Sequence, residues 1–475
     1  MMKLYFQNED PSFDLLFDSQ DEGQTYVDRY KANILADGST VVAERVSFAP
    51  QPQSAMTIID QHTGYVKAII GGRGTKTASL TLNRATDSTR QPGSTFKIVS
   101  TYAAALNEKG MTLATTYEDQ PITYDNGAPV NNASGSFNGT TTIRTAIRNS
   151  VNTVAVQCFE DVTPELGLKY LDNFGFTTLA HGTEADTDAN GNVYTDANLP
   201  TALGGLTYGV KNVELCAAYA AIANGGNYIK PVYYTKILDH NGNVLIENNS
   251  VGRSVIKETT AYLLTSALED VVQNGTGTAC QLDNMAVAGK TGTTDAYNDL
   301  WFVGYTPYYT CAVWSGYDGN QKIPEGDARN FHKTLWRKVM NRIHQGMEYK
   351  DFEVPDGIEQ ISICADTGLL PRVGCPVTEE YFDVGTMPTE YCDQHFYEYD
   401  ESQDEDMEIY DENATPTPDP ENPDGTDNTD GSGGDGTGGD GTGGDGTGGD
   451  GIGGGDIQYP DESGGDSGND DIYYY

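Results

Sequence analysis

Apolar residues recur with two different periods along this chain, and the switch between them marks its elements. Residues 53–71 read as a hairpin, with an apolar strand through Ala55-Met56-Thr57-Ile58-Ile59, a turn at His62-Thr63-Gly64 and a second strand Tyr65-Val66-Lys67-Ala68-Ile69-Ile70. Residues 94–108 carry a long apolar run that predicts a buried helix stopped by Gly110. Residues 141–175 alternate helical pattern with short loops. Leu215, Ala218, Tyr219 and Ile222 fall at helical spacing within 210–224, ending at Gly225, and residues 259–274 repeat that pattern. Three strand-like runs follow, 285–294, 299–305 and 309–317, joined by short polar connections that predict an antiparallel meander. Two early strands, three late strands and helices between them predict an α+β fold. It has a five-stranded antiparallel sheet flanked by helices, an all-helical lobe, and a cleft between lobe and sheet.

Charge changes this picture at the C-terminal end. The 475 residues carry a net charge of −42, from 28 Lys and Arg against 70 Asp and Glu. Residues 397–475 hold 24 of the acids and no Lys or Arg, which leaves the remainder at about −18. From 397 the sequence is acidic, then rich in Pro and Thr, and then repeats Gly-Thr-Gly-Gly-Asp between Asp435 and Asp450. Such a stretch buries no apolar surface and is expected to be a disordered, solvated tail. The five-residue period does not match the nine-residue calcium-binding repeat. Nucleic acid is excluded as a partner, because phosphate binding needs clustered cations. The expected divisions are a linker or pedestal at 1–50, a main domain at 51–345, a small Cys-containing extension at 346–396, and the tail at 397–475. The N-terminal residues turn polar at once, with neither a secretory leader nor a run of the ~20 apolar residues that span a bilayer.

Three short motifs carry the candidate chemistry. S-x-x-K occurs at Ser94–Lys97 and at Ser254–Lys257, S-x-N at Ser136, Ser150 and Ser467, and K-T-G once, at Lys290. Singly, each is weak. The context selects Ser94, which follows Arg90-Gln91-Pro92-Gly93 and opens the apolar helix, whereas Ser254 lies in a polar stretch. Lys97, three residues after Ser94, shares its helix face. A buried lysine beside another cation loses charge, and a neutral amine can take a serine proton. Side chains alternate along a strand, so Thr291 and Thr293 face one way and Lys290 and Gly292 the other, which lets the lysine reach Ser150. Gly292 allows a substrate backbone to lie close.

Together with their flanks, these motifs resemble the transpeptidase domain of class A penicillin-binding proteins. The flanks are Ala55–Ala68, Asn83-Arg84-Ala85, Gly204-Gly205-Leu206-Thr207-Tyr208-Gly209-Val210 and Trp301-Phe302-Val303-Gly304-Tyr305-Thr306-Pro307. The resemblance implies a serine D,D-transpeptidase that cross-links peptidoglycan stem peptides through an acyl-enzyme and is trapped by β-lactams. It makes Ser94, Lys97, Ser150 and Lys290 catalytic. Asn152, Thr291, Gly292 and Thr293 bind substrate, and the N–H groups of Ser94 and Thr293 form the oxyanion hole. No cofactor or metal is implied. A D,D-carboxypeptidase of the same fold and a non-catalytic wall-binding fragment are the alternatives. A class A β-lactamase needs an E-x-x-L-N glutamate, which has no convincing match. The family's membrane helix and glycosyltransferase domain do not fit before residue 51. Glycan polymerisation is therefore not expected of this chain, a separate glycosyltransferase becomes a candidate partner, and the site of action is the outer face of the cytoplasmic membrane.

The cysteines pose a separate question. Cys158, Cys216, Cys280 and Cys311 stand singly in apolar or strand-like contexts and are expected to fill the core. Cys364, Cys375, Cys392 and His395 are spaced C-x10-C-x16-C-x2-H, four potential zinc ligands. That spacing lacks the C-x2-C pair of structural zinc sites, so a Cys364–Cys375 disulfide is the favoured expectation and metal is set aside.

Overall fold

Strand β1 (Gln53–Asp60) is buried along nearly its whole length, as an apolar run must be when both faces of a sheet are covered. It pairs antiparallel with β2 (Tyr65–Ile70) on one side and with a distant strand, Thr310–Gly316, on the other. The computed structural model describes residues 1–35, 38–44, 46–76, 79–249 and 251–395. The tail expected from 397 lies outside the described residues.

The meander consists of β3 (Ala288–Thr293), β4 (Asp299–Tyr305) and β5 (Thr310–Gly316), and the sheet runs β3-β4-β5-β1-β2. Helices cover both faces. On one, α7 (Asn212–Ala223) is apolar all round and almost wholly buried. Its Asn212 accepts from Thr57 Oγ1 at 2.6 Å and donates to the Ala312 carbonyl at 3.2 Å, so a polar clamp fixes it over the two central strands. On the other, α9 (Phe331–Ile343) lays Trp336 edge-on against Phe302 and donates its indole N–H to Cys311 at 3.0 Å. Met56, Ile58, Val313 and Met340 complete that core.

The helical lobe stands against the β3 end of the sheet. It contains α3 (Ala103–Glu108), α4 (Ile143–Asn149), α5 (Asn152–Val162) and α6 (Pro164–Asn173), and α8 (Glu258–Asn274) joins it to β3. Residues 94–108 do not form the single regular helix expected. A 3₁₀ turn, Gly93–Thr95, leads into a π-helical turn, Ile98–Tyr102, before α3. Ser100 Oγ occupies the Phe96 carbonyl at 2.8 Å, competing with the regular backbone bond to that oxygen. The widened turn lies directly after Lys97, where π turns commonly mark function.

Residues 1–35 form two helices, α1 (Met2–Gln7) and α2 (Gln20–Ile34), held by rings of Phe6, Phe13, Phe17, Tyr26 and Tyr30. Beyond the sheet, β6 (Ile358–Cys364) and β7 (Val377–Asp383) pair in an antiparallel hairpin that the hydrophobic pattern did not disclose. Its faces are mostly half-exposed, with a small core of Ile363, Phe382 and Ala114. The hairpin is fixed to the lobe by the Arg144–Glu380 ion pair (2.6 Å), by Thr259 Oγ1 to Asp383 (2.7 Å) and by an edge-to-face Tyr262–Tyr381 contact.

The four single cysteines are fully buried, as expected of core fillers. The Cys364–Cys375 disulfide is not formed, and all seven cysteines are free thiols. Cys364 Sγ is turned to the His395 ring, and Cys375 Sγ accepts the Arg372 N–H at 3.2 Å.

Candidate active site

The segment bearing Ser94 is locked from three sides before any side-chain chemistry is considered. Arg90 exchanges both backbone hydrogen bonds with Val210 (3.0 and 2.9 Å). Gln91 clamps Leu206 through its amide at 2.7 and 2.8 Å, while its carbonyl accepts the Trp301 indole N–H at 2.8 Å. The Tyr219 hydroxyl donates to the Thr95 carbonyl at 2.6 Å. These bonds explain why flanks so far apart in sequence accompany the motif. Gly93 has φ +54°, and a Cβ there would stand 2.8 Å from the Thr293 carbonyl oxygen. Glycine is needed for both reasons, and the Ser94 turn therefore rests on β3.

Lys97 is fully buried. Its Nζ lies within hydrogen-bonding distance of the carbonyls of Ser150 (2.7 Å) and Val151 (3.2 Å), of Asn152 Oδ1 (2.6 Å) and of Ser150 Oγ (3.3 Å). All four partners are neutral oxygens. Burial, together with the facing charge of Lys290, pushes the Lys97 amine well below the ordinary lysine range. Lys290 is equally buried, and burial lowers it to about 7.

Ser150 caps α4 in the left-handed conformation, φ 58°, which turns the chain back towards Lys97 before α5 begins at Asn152. Asn152 is held in turn. Its N–H donates to Asn132 Oδ1 (2.9 Å) and its Nδ2 to the Asn131 carbonyl (2.6 Å). The Asn132 amide donates to the buried Asp119 carboxylate (2.7 Å), which also accepts from Thr153 Oγ1 (2.6 Å). Sequence reasoning missed this Asp119–Asn132 support, because nothing in the spacing links those positions to the S-x-N motif.

On β3 the alternation holds. Lys290 and Gly292 are buried, Thr291 is half-buried and Thr293 exposed. Gly292 abuts the Ser94 segment, since a Cβ there would meet the Pro92 carbonyl at 2.5 Å and the Thr95 methyl at 2.8 Å. Its smallness thus serves the contact with that segment. Lys290 Nζ donates to the Thr291 carbonyl at 3.5 Å, and the amine on Ser150 Oγ is that of Lys97. The expected reach of Lys290 to Ser150 is corrected accordingly: four oxygens from the Ser150 turn converge on Lys97. The Thr291 hydroxyl meets that of Thr276 at 2.7 Å, a second residue the motifs did not disclose.

A cleft of about 420 Å³ opens here, lined by Ser150, Asn132, Ser134, Ser136, Asn274 and Thr276 among others. The competing motifs fall elsewhere. Ser254 sits on the exposed strand Gly252–Ser254, and Ser136 lies on the cleft rim, where the Asn138 side-chain amide donates to Asp119 at 3.2 Å. Ser467 lies outside the described residues.

Residues 54–341 match the family described as penicillin binding protein transpeptidase domain. This chain belongs to that family. Residues 354–397 match a second description, penicillin-binding protein 1A, C-terminal domain. Penicillin-binding protein 1A of Clostridium tetani is 34% identical over 362 residues, covering 73% of this chain and 45% of that one. The Clostridium novyi protein of the same name is 36% identical over 364 residues, covering 73% and 40%. The chain thus spans less than half the length of these class A relatives. Among solved structures, the PonA1 protein of Mycobacterium tuberculosis in complex with penicillin V is similar at 27% identity and TM-score 0.56, covering 64% of this chain and 81% of that one. Penicillin-binding protein 1A of Haemophilus influenzae shares the fold, at 24% identity and TM-score 0.61, covering 73% and 55%. Among the described residues of this family member, no helix is long and apolar enough to cross a membrane.

Proposed function

We propose that this chain is a serine D,D-transpeptidase of peptidoglycan stem peptides, with Ser94 as nucleophile. The observation that carries the reading is the Lys97 amine, one helical turn after Ser94, buried among neutral oxygens and driven towards its uncharged form. Ser94 Oγ attacks the carbonyl carbon of the penultimate D-alanine, and its proton passes to Lys97 Nζ. The N–H groups of Ser94 and Thr293 hold the oxyanion, from two segments that pack directly together. The C–N bond then breaks. The proton returns from Lys97 through Ser150 Oγ to the departing D-alanine nitrogen, leaving an ester on Ser94. The amine of a second stem peptide attacks that ester and restores the serine.

Asn152 orients the donor backbone, while Thr291, Thr293 and the Lys290 charge receive the terminal carboxylate. A β-lactam enters by the same first step, and its ring-opened acyl group stays on Ser94. The donor and acceptor peptides place the site of action outside the cytoplasmic membrane.

The test is mass spectrometry of the chain after penicillin, followed by turnover of a D-Ala-D-Ala-terminated peptide with and without an amine acceptor. The reading expects an adduct at Ser94 and an amide product with the acceptor. Free acid alone, at every acceptor concentration, would make the chain a carboxypeptidase. Absence of any adduct would leave a non-catalytic binder.

A further inference from the structure

Cys364, Cys375, Cys392 and His395 come together although the sequence separates the first from the last by 31 residues. One ligand atom from each lies within 4.8 Å of all the others. His395 Nδ1 is 3.5 Å from Cys364 Sγ and 3.3 Å from Cys392 Sγ. Zinc binds thiolate at about 2.3 Å and imidazole at about 2.0–2.1 Å, so in a tetrahedron sulfur and nitrogen stand about 3.6 Å apart and two sulfurs about 3.8 Å. We propose that these four residues form a structural zinc site, Cys364, Cys375 and Cys392 binding through Sγ and His395 through Nδ1.

Backbone bonds build this arrangement. Cys364 ends β6, and the turn after it closes by Gly368 N–H to the Cys364 carbonyl (2.9 Å) and Cys364 N–H to Leu369 (2.8 Å). Ala365 N–H to the Pro376 carbonyl (2.8 Å) brings the Cys375 turn alongside. Cys392 N–H to the Leu370 carbonyl (2.8 Å) brings in the last cysteine. The surroundings are those a zinc site requires. His395 Nε2 pairs with Asp366 at 3.2 Å, which fixes the ring and leaves Nδ1 to face the thiols. The Arg372 N–H points at Cys375 Sγ (3.2 Å), a bond that favours thiolate. Three thiolates and a neutral imidazole give the zinc site a net charge of −1, and the Arg372 guanidinium, held on the Cys392 carbonyl at 3.0 Å, is a nearby countercharge. Four protein ligands leave no open position, so the role is structural.

That role answers a need. The hairpin module has a small apolar cluster, Ile363 and Phe382 with Ala114 of the lobe. Modules this small usually need a metal or disulfides to hold their loops. No disulfide forms here, and zinc binding displaces the three thiol protons to solvent.

The experiment uses the full chain, purified without chelator and analysed for metal. One zinc per chain is expected, released on mercurial titration of the thiols and lost in Cys364→Ser, Cys392→Ser and His395→Gln. Cys280→Ser, in the core, should keep it. Because loss of a ligand side chain can also unfold the module, the unaltered protein is reconstituted with Co(II) alone. Tetrahedral d–d bands with thiolate-to-cobalt charge transfer are expected. Three results would each overturn the proposal: a metal-free chain whose non-reduced mass is lighter by two hydrogens, zinc retained in all three ligand variants, or an octahedral cobalt spectrum without charge transfer.

Discussion

Lys97 Nζ stands 3.3 Å from Ser150 Oγ and 2.7 Å from the Ser150 carbonyl, so one amine grips both the side chain and the backbone of the left-handed residue that ends α4. The base candidate and the proton-relay candidate are thereby one mechanical unit. The pH dependence of acylation follows from the two buried amines. In the proposed mechanism Lys97 is the base, and its lowered pKa favours the uncharged amine. The second-order rate with a carboxylate-bearing penicillin should fall on the acid side as Lys97 gains a proton. It should also fall on the alkaline side as Lys290, at about 7 in the free enzyme, loses its charge. The apparent values belong to the pair. Stopped-flow acylation from about pH 5 to about pH 9 tests this, and a flat profile would contradict the roles of both lysines. Lys97→Arg should lose at least about 100-fold, because guanidinium does not give up its proton.

The two S-x-x-K motifs give a clean contrast. Ser94→Ala should abolish covalent penicillin labelling, whereas Ser254→Ala should leave its rate unchanged. Ser254 is exposed, and its hydroxyl bonds only locally, to the Ile256 carbonyl at 3.3 Å. A penicillin adduct mapped to Ser254 would sink the assignment.

Much of this was legible in the sequence because the relevant signals are local. Strand-like apolar runs bounded by turns located β1 to β5 to within three residues at each end, and helical spacing of apolar residues marked α7 as a helix. Ser94, Lys97, Ser150, Asn152 and the Lys290 strand were readable as motifs. What was not readable depends on contacts between segments remote in sequence. Asp119 supports Asn132, which supports Asn152, across more than 30 residues, and no spacing rule connects them. The π turn after Lys97 arises from a Ser100 hydroxyl competing for one carbonyl, which periodicity cannot show. The Cys364–Cys375 expectation failed for a similar reason, because pairing depends on which turns bring sulfurs together, and those turns gather three thiols and an imidazole at once.

Burying an amine without a carboxylate has a cost that pH should reveal. Lys290 has a folded pKa of about 7, set by burial, against an ordinary value of 10.5. Below about 7 both folded and unfolded chains carry the proton, and the penalty of a buried charge is fully present. Between the two values the unfolded chain binds more protons, so stability rises with pH. Well above 10.5 both states are neutral and the penalty is gone. Lys290→Met should therefore stabilise the domain at pH ~6, on the order of a few kcal/mol, with the gain shrinking towards pH ~10, while acylation collapses. Urea unfolding at the two pH values measures this. An equal gain at both would show that the methionine acts by packing alone.

The Arg144–Glu380 pair ties the C-terminal hairpin to α4, the helix that Ser150 caps. Glu380 is almost completely buried, and Arg144 also donates to Ser266 Oγ at 2.9 Å. Removing one partner strands a desolvated charge, so Glu380→Met and Arg144→Met should each cost about 3 kcal/mol. Removing both leaves an apolar contact between the hairpin and the lobe, and the double variant should recover most of that loss. Acylation at Ser94 should follow the same order, slower in each single variant than in the double, because strain at α4 reaches Ser150 and through it Lys97. Thr259→Val, which removes one hydrogen bond to the Asp383 carboxylate at 2.7 Å and leaves that carboxylate partly exposed to water, should cost about 1.5 kcal/mol and leave acylation unchanged. Chemical unfolding and penicillin acylation of the four variants decide the matter. Strictly additive losses in the double variant would mean that the two side chains act independently, and that the hairpin does not brace the helix carrying Ser150.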